Sequence, residues 1–456
     1  MSSRSRRSTE GADHIRPRVS PVSSTTPRRT FHVESLGCAK NQVDSELMIA
    51  SLERAGWHLA DSPDDADVIV VNTCGFINAA KKESIETSLE MKARHPDRKV
   101  IMVGCLSERY GEELAAQLPE IDAFLGNRNP SRIVEIVEGR GPVQPPGAKP
   151  YERDHLLSWP GSAYVKIAEG CSNRCTYCAI PLIRGDLASR GPAEIVAEVR
   201  GLLDRGAREL VLIAQDLGSW GKDLGGGGLT ELLGNISRIR GDFWVRLLYI
   251  HPDHFPSGLL DLMAGDARFL PYFDLPFQHG APDILRAMGR QGDPARNVDL
   301  VSAIRRRLPD AVIRSTFLLG FPGETDADFD MLLDFQERLR PDWLGSFTYS
   351  REEDTPAYRM SGRVTKAVAE SRKAEVERRQ VSITDRALDR YIGRSLDVLV
   401  EERVQGEELS LGRAYLQAPD VDGLVVVRGA FAPAGMVRVR IDRRNGVDLE
   451  GGVVER

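Results

Sequence analysis

The stretch AYVKIAEGCSNRCTYC, residues 163–178, reads as an apolar strand running straight into three cysteines. Cys171, Cys175 and Cys178 follow a C-x3-C-x2-C spacing, with an aromatic residue, Tyr177, before the last. Three thiolates are too few to close a structural zinc site, which takes four ligands. A cubane iron–sulfur cluster on three thiolates leaves one iron open, and an open position marks a reactive site rather than a staple. The competing reading, zinc completed by a histidine, is the weaker one, since the nearest, His155, lies beyond the strand.

The strand is the first of six. ELVLIAQ (209–215), WVRLLYI (244–250), YFDLPFQ (272–278), VIRSTFLLG (312–320) and WLGSFTY (343–349) follow, with helical stretches between them. One is PAEIVAEVRGLLDRG, with Pro192 in its first turn and Gly206 at its stop. Six strand–helix units predict a partial (β/α)6 barrel, whose chemistry gathers at the C-terminal mouth. Gln215, Asp216, His251, Gln278 and His279 end strands there.

Upstream, the alternation is the same. FHVESLG, DVIVVNT, KVIMVG and IDAFLG read as strands, with a helix over DSELMIASLERAG that Asp44 would cap. This predicts a doubly wound parallel sheet. Cys38, Cys74 and Cys105 each follow one of its first three strands. C-terminal strand ends share one edge of a parallel sheet, so these thiols are expected to converge. The bland alternative is three buried structural thiols.

TKAVAESRKAEVERRQVSITDRALDRYIG then reads as a long helix with a solvated charged face. The Val-rich segments LDVLVEE, LVVVRG and MVRVRI predict a small OB-like all-β barrel. From Tyr391 to Arg456 there are nine Arg, no Lys and eleven Asp plus Glu. That balance suits a basic protein partner better than a phosphate backbone. The expected organisation is a disordered tail over 1–30, an α/β domain over 31–140, a Pro- and Gly-rich linker over 141–152, the partial barrel over 153–390 and the β-barrel over 391–456.

The bulk numbers agree. In 456 residues, 61 Lys plus Arg face 67 Asp plus Glu, so no overall basic field draws the chain onto nucleic acid. No apolar run reaches the length of a membrane span, and no signal peptide is visible. A monomer in the cytoplasm is expected. Six cysteines without a secretory signal point to metal or cluster ligation rather than disulfides.

The Cys171–Cys178 motif resembles the cluster-binding signature of radical S-adenosylmethionine (SAM) enzymes. TFLLGFPGETDADF (316–329) is similar to that family's glycine-containing strand near the nucleoside. SLGCAKNQVDSE, NTCGFINAAKKESIE and the Gly104–Cys105 pair resemble the N-terminal domain of methylthiotransferases, and the last domain their TRAM domain. The resemblance covers 31–456. It implies two [4Fe–4S] clusters, on Cys171, Cys175 and Cys178 and on Cys38, Cys74 and Cys105. It also implies SAM near Tyr177, Arg190, Gln215, His251 and Gly320, and an electron donor such as flavodoxin or ferredoxin. One SAM would methylate a sulfur on the auxiliary cluster, and a second would yield a radical that takes hydrogen from the substrate carbon.

Two branches of that family compete. One modifies N6-isopentenyl-adenosine beside the tRNA anticodon; the other modifies the β-carbon of an aspartate in small-subunit ribosomal protein twelve. IPLIRGDLASR, AQDLGSWG, YIHP and SREEDTPA are similar to the second. Ala39, Leu217 and Gly289 depart from its common residues. A non-catalytic iron–sulfur carrier is the reading from another class, and would yield no 5′-deoxyadenosine.

Overall fold

The computed structural model describes residues 29–139 and 151–454. The expected tail and linker lie almost wholly outside the described residues. The first sheet has five strands: β1 (Thr30–Ser35), β2 (His58–Leu59), β3 (Val68–Thr73), β4 (Lys99–Gly104) and β5 (Ala123–Leu125). They pair in the order β2-β1-β3-β4-β5, all parallel. β3 reads VIVVNT and is buried throughout, as a strand with helices on both faces must be.

One local expectation is corrected. The first helix spans Ala39–Arg54 and starts five residues ahead of Asp44, so Asp44 is not its cap. Cys38 stands at the N-cap position, and Asp44 is buried mid-helix because it faces cations of the next domain.

A six-stranded parallel sheet follows: β6 (Ser162–Lys166), β9 (Glu209–Ile213), β10 (Trp244–Leu247), β11 (Phe269–Asp274), β12 (Val312–Leu319) and β13 (Trp343–Thr348). A short antiparallel pair, β7 (Ala168–Glu169) with β8 (Ala188–Ser189), sits beside β6. The order is β13-β12-β11-β10-β9-β6 with no bond between the two ends, which makes the barrel incomplete. Alternation along the strands sorts the core. Ala163, Val165, Leu210 and Leu212 pack against the helices. Tyr164, Val211, Ile213 and Tyr272 point the other way, where Val43 and Leu47 of the first helix and Leu396, Val398 and Leu416 of the C-terminal domain meet them.

That last domain is a closed barrel, β14-β15-β16-β18-β17, from β14 (Ser395–Arg403), β15 (Leu409–Ala414), β16 (Val425–Arg428), β17 (Met436–Asn445) and β18 (Asp448–Val453). It is locked to the partial barrel by Glu209, which lies between Arg246 at 2.7 Å and Arg413 at 2.6 Å with all three buried. The Lys366–Asp389 helix is not solvated all round: Ala369, Val376, Ile383 and Leu388 are buried, and its Glu377 accepts from Ser346 of β13. Among the described residues no helix is long and apolar enough to cross a membrane.

Candidate functional site

The first cysteine trio sits on a loop tied at its base by the β7–β8 pair. Gly170 has φ +69°, and a Cβ there would lie 2.0 Å from the Asp186 carbonyl oxygen, so the loop closes only with glycine at that point. The Cys171 N–H donates to Gly185 O at 3.1 Å and the Cys178 N–H to Cys175 O at 3.0 Å. The loop is also pinned from outside. The Thr176 N–H and hydroxyl donate to Met288 O and Ala287 O, and the Ala357 N–H to Thr176 O. Gly289, where the family commonly has a larger residue, has φ +77° and backs onto Arg174 O. Arg174 itself is left-handed at φ 54°, the kind of backbone outlier that clusters at functional sites.

The second trio forms at the C-terminal ends of β1, β3 and β4, which are neighbours in the sheet. Each cysteine has a glycine beside it. A Cβ on Gly37 would lie 2.9 Å from Cys74 Cβ, one on Gly75 2.8 Å from Cys105 O, and one on Gly104 2.2 Å from Asn72 Oδ1. The backbone is thus drawn tight so that the three sulfurs share one edge. Cys105 opens the Cys105–Gln117 helix.

All six thiols are free. Burial, with the neighbouring Cys38 and Cys105 adding to it, pushes the Cys74 thiol up to about 12. Burial likewise pushes Cys178 up to about 12, beside Cys175 and Cys171. Cys38 goes the other way: burial raises it, but the Lys40 and Arg184 charges prevail and hold it below the ordinary thiol value. Its side chain is exposed. Among the described residues no three His, Cys, Asp or Glu side chains are set to chelate a single ion. Crowded thiols that oppose one another's ionisation are a donor set that a cationic cluster relieves.

The segment that leaves the first trio packs on one cysteine of the second: Cys105 lies against Ala179, which follows Cys178 directly, and Ile183 of the next helix turn. Arg184, closing the Ile180–Arg184 helix, lies 3.2 Å from Cys105 Sγ through Nη2. The same Nη2 donates to Asn41 Oδ1 at 2.6 Å and to Asp44 at 3.0 Å, and Nη1 donates to Glu169 at 2.8 Å. Lys40, from the first helix, lies 3.8 Å above the Tyr249 ring at the barrel mouth.

The other sequence-singled residues divide. Gln215 donates to Glu169 at 3.2 Å and leaves its buried Oε1 without a partner. The Tyr177 hydroxyl accepts from Arg290 at 3.2 Å. His251 lines a cavity of about 680 Å³ with Ser172, Asn173, His254 and Arg290. Gly320, at φ +73°, lies apart in a cleft of about 470 Å³ with Asn78, Ser350 and Arg351. Arg190 spends all three guanidinium nitrogens on Glu194, Glu198 and Lys166 O, and lies against Tyr151.

Sequence reading missed Arg184, Asn41, Glu169 and Arg290 as site residues. Arg184 stood inside the IPLIRGDLASR stretch, but a lone arginine there looks like a helix-end cation. Asp216 was noted only as a strand end. It anchors a knot that takes His254 at 2.7 Å, Ser219 at 2.6 Å and Asn173 at 2.9 Å. Tyr249 and Gln278, both with φ above +60°, end neighbouring strands at the same mouth.

Residues 30–126 match the Uncharacterized protein family UPF0004, 165–335 the Radical SAM superfamily and 392–454 the TRAM domain. The chain is 46% identical to the ribosomal protein uS12 methylthiotransferase RimO of Treponema denticola, over 92% of this chain and 99% of that protein. It is 44% identical to the protein of that name from Desulfosudis oleivorans, over 92% and 99%, and 41% to that of Thermosipho africanus, over 93% and 99%. The radical SAM methyltransferase TsrM from Kitasatospora setae shares the fold, with a TM-score of 0.55 at 16% identity over 72% of this chain and 75% of that one.

Proposed function

The chain belongs to the family of the ribosomal protein uS12 methylthiotransferases, and on that premise we propose that it inserts a methylthio group at the β-carbon of an aspartate of uS12. It is a radical SAM enzyme. Cys171, Cys175 and Cys178 would hold one [4Fe–4S] cluster, and Cys38, Cys74 and Cys105 a second. The observation that supports this reading is the contact of Cys105 with Ala179, Ile183 and Arg184, which ties one thiol of the second trio to the segment that leaves the first, across the domain boundary. When bound, the first group with SAM would supply hydrogen abstraction from an unactivated carbon, and the second would carry the sulfur to be inserted.

The chain's own residues do the rest. The β7–β8 clamp and the Thr176 hydrogen bonds present the first three thiols on a loop held before any ligand arrives. Gln215, with its free Oε1, and Tyr177 are the residues assigned to SAM polar and adenine groups. His251 lines the cavity beside the first trio and is assigned to SAM polar groups, and Gly320, in the separate cleft, to the neighbourhood of the nucleoside. Arg190 holds the frame beneath. The first helix, which starts at Ala39 directly after Cys38, stands over the second trio through Asn41 and Asp44. Electrons come from a flavodoxin or ferredoxin, and the protein acts as a cytoplasmic monomer.

Anaerobic protein with SAM and reductant, offered uS12 and an anticodon stem-loop separately, tests the assignment by mass spectrometry. A methylthio mass increase on the uS12 aspartate is expected. An increase on the RNA alone rejects it in favour of the tRNA branch, and no 5′-deoxyadenosine rejects the radical class.

A further inference from the structure

Arg184 ends the helix that leaves the first trio, yet its guanidinium lies on the second. Its side chain is 1% exposed. Two carboxylates from different domains orient it: Glu169 from the barrel takes Nη1 at 2.8 Å, and Asp44 from the first helix takes Nη2 at 3.0 Å. Held this way, Nη2 comes within 3.2 Å of Cys105 Sγ. Asn41 Oδ1 receives the same nitrogen at 2.6 Å, and Asn41 is itself fixed by donating to Leu36 O and Thr73 O. Asn127 adds a neutral donor to the same sulfur at 3.3 Å.

We propose that Arg184 is a positioning residue for the second trio: from the exit helix of the first, it holds the Cys105 thiolate and sets the reduction potential of the group bound there. This rests on the reading of Cys38, Cys74 and Cys105 as cluster ligands. The physics is direct. A hydrogen bond and a positive charge at a cluster thiolate stabilise the more negative, reduced state, and so raise the potential. Charge-assisted bonds from a planar guanidinium are stronger than neutral ones and also fix direction. A lysine offers one nitrogen. It keeps a charge for the Asp44 and Glu169 carboxylates but lacks the rigid planar fork that holds one nitrogen at the sulfur while the other is tied to Glu169.

The test uses the full chain with Cys171, Cys175 and Cys178 all changed to Ala, so that only the second trio binds. Arg184, R184K and R184M versions are reconstituted anaerobically and titrated with EPR detection. Expected is parental iron content, altered g values and a lower midpoint in both variants. R184M shifts the oxidised-to-reduced ratio about tenfold, which is about 59 mV for one electron. A purely structural role would lower melting temperature or iron content and leave the midpoint alone. Should R184M not accumulate, R184K decides, since it keeps a charge for the two carboxylates. A parental midpoint in folded R184K overturns the proposal while the cluster reading stands. A parent protein that holds no iron refutes the cluster reading, and the role of Arg184 with it.

Discussion

Arg109 Nη1 and Glu352 Oε2 lie 2.8 Å apart across the boundary between the first sheet and the partial barrel, their side chains 5% and 2% exposed. Lys81 reaches the same carboxylate oxygen at 2.8 Å. A second clamp stands at the other end of the interface, where Lys166 and Arg153 take Asp44 and Glu46 of the first helix. Two clamps at separate points fix an orientation, and it is orientation that brings Cys105 onto the helix after Cys178.

Glu352→Ala strips the partner from two cations, one of them deeply buried. Breaking such a pair from one side costs about 3 kcal/mol, because the remaining charge is left uncompensated. The expected outcome is a lower melting temperature by calorimetry and loss of methylthio product. A variant that melts with the wild type would show that the clamp does not hold the domains.

The iron should divide between the trios. Cys171→Ala and Cys74→Ala are each expected to retain about half of the wild-type iron and sulfide, one cluster being lost and the other kept. Full occupancy in either variant would mean that its cysteine is not a ligand.

Gly170→Ala forces a side chain into a left-handed position, which costs about 1–2 kcal/mol, and sets a Cβ against a backbone carbonyl that cannot move alone. The base of the first loop should open. Iron is lost from Cys171, Cys175 and Cys178 while the second trio keeps its share, read by comparing iron content with that of Gly170→Ala combined with Cys74→Ala.

His251 gives a pH signature. Burial first, then the Arg290 charge, drives its imidazole down to about 3 from an ordinary 6.5. The unfolded chain therefore binds the extra proton between those values, and stability rises with pH across the window and falls as pH drops from 6.5 toward 3. Asp216, a depressed carboxyl, acts with the same sign at the acid end. His251→Asn should flatten the slope of unfolding free energy between pH 6.5 and 5, measured by denaturant titration. An unchanged slope would place the titration elsewhere.

Much was legible in the chain alone. β3 and β9 each carry four successive apolar residues, Val68–Val71 and Leu210–Ile213, and strand–helix alternation with such runs leaves little besides a parallel sheet. The helix start was misread because Asp44 looks like a cap in one dimension. Only the fold shows that it faces Lys166, 122 residues away. The Lys366–Asp389 helix was legible as a helix with a solvated charged face, while its buried stripe of Ala369, Val376, Ile383 and Leu388 emerges only from packing.

The sequence by itself determined that two sets of three thiols exist, each placed where strands end, because ligand type, spacing and periodicity are local properties written along the chain. What only the tertiary structure decided is that the segment leaving one set lies against a thiol of the other. Arg184 touches Cys105 across 79 residues and Asn41 across 143. No periodicity spans such distances; they are closed by buried charges and by apolar residues such as Val43 and Tyr164, brought together when the first helix and the C-terminal barrel fill the open face of the sheet.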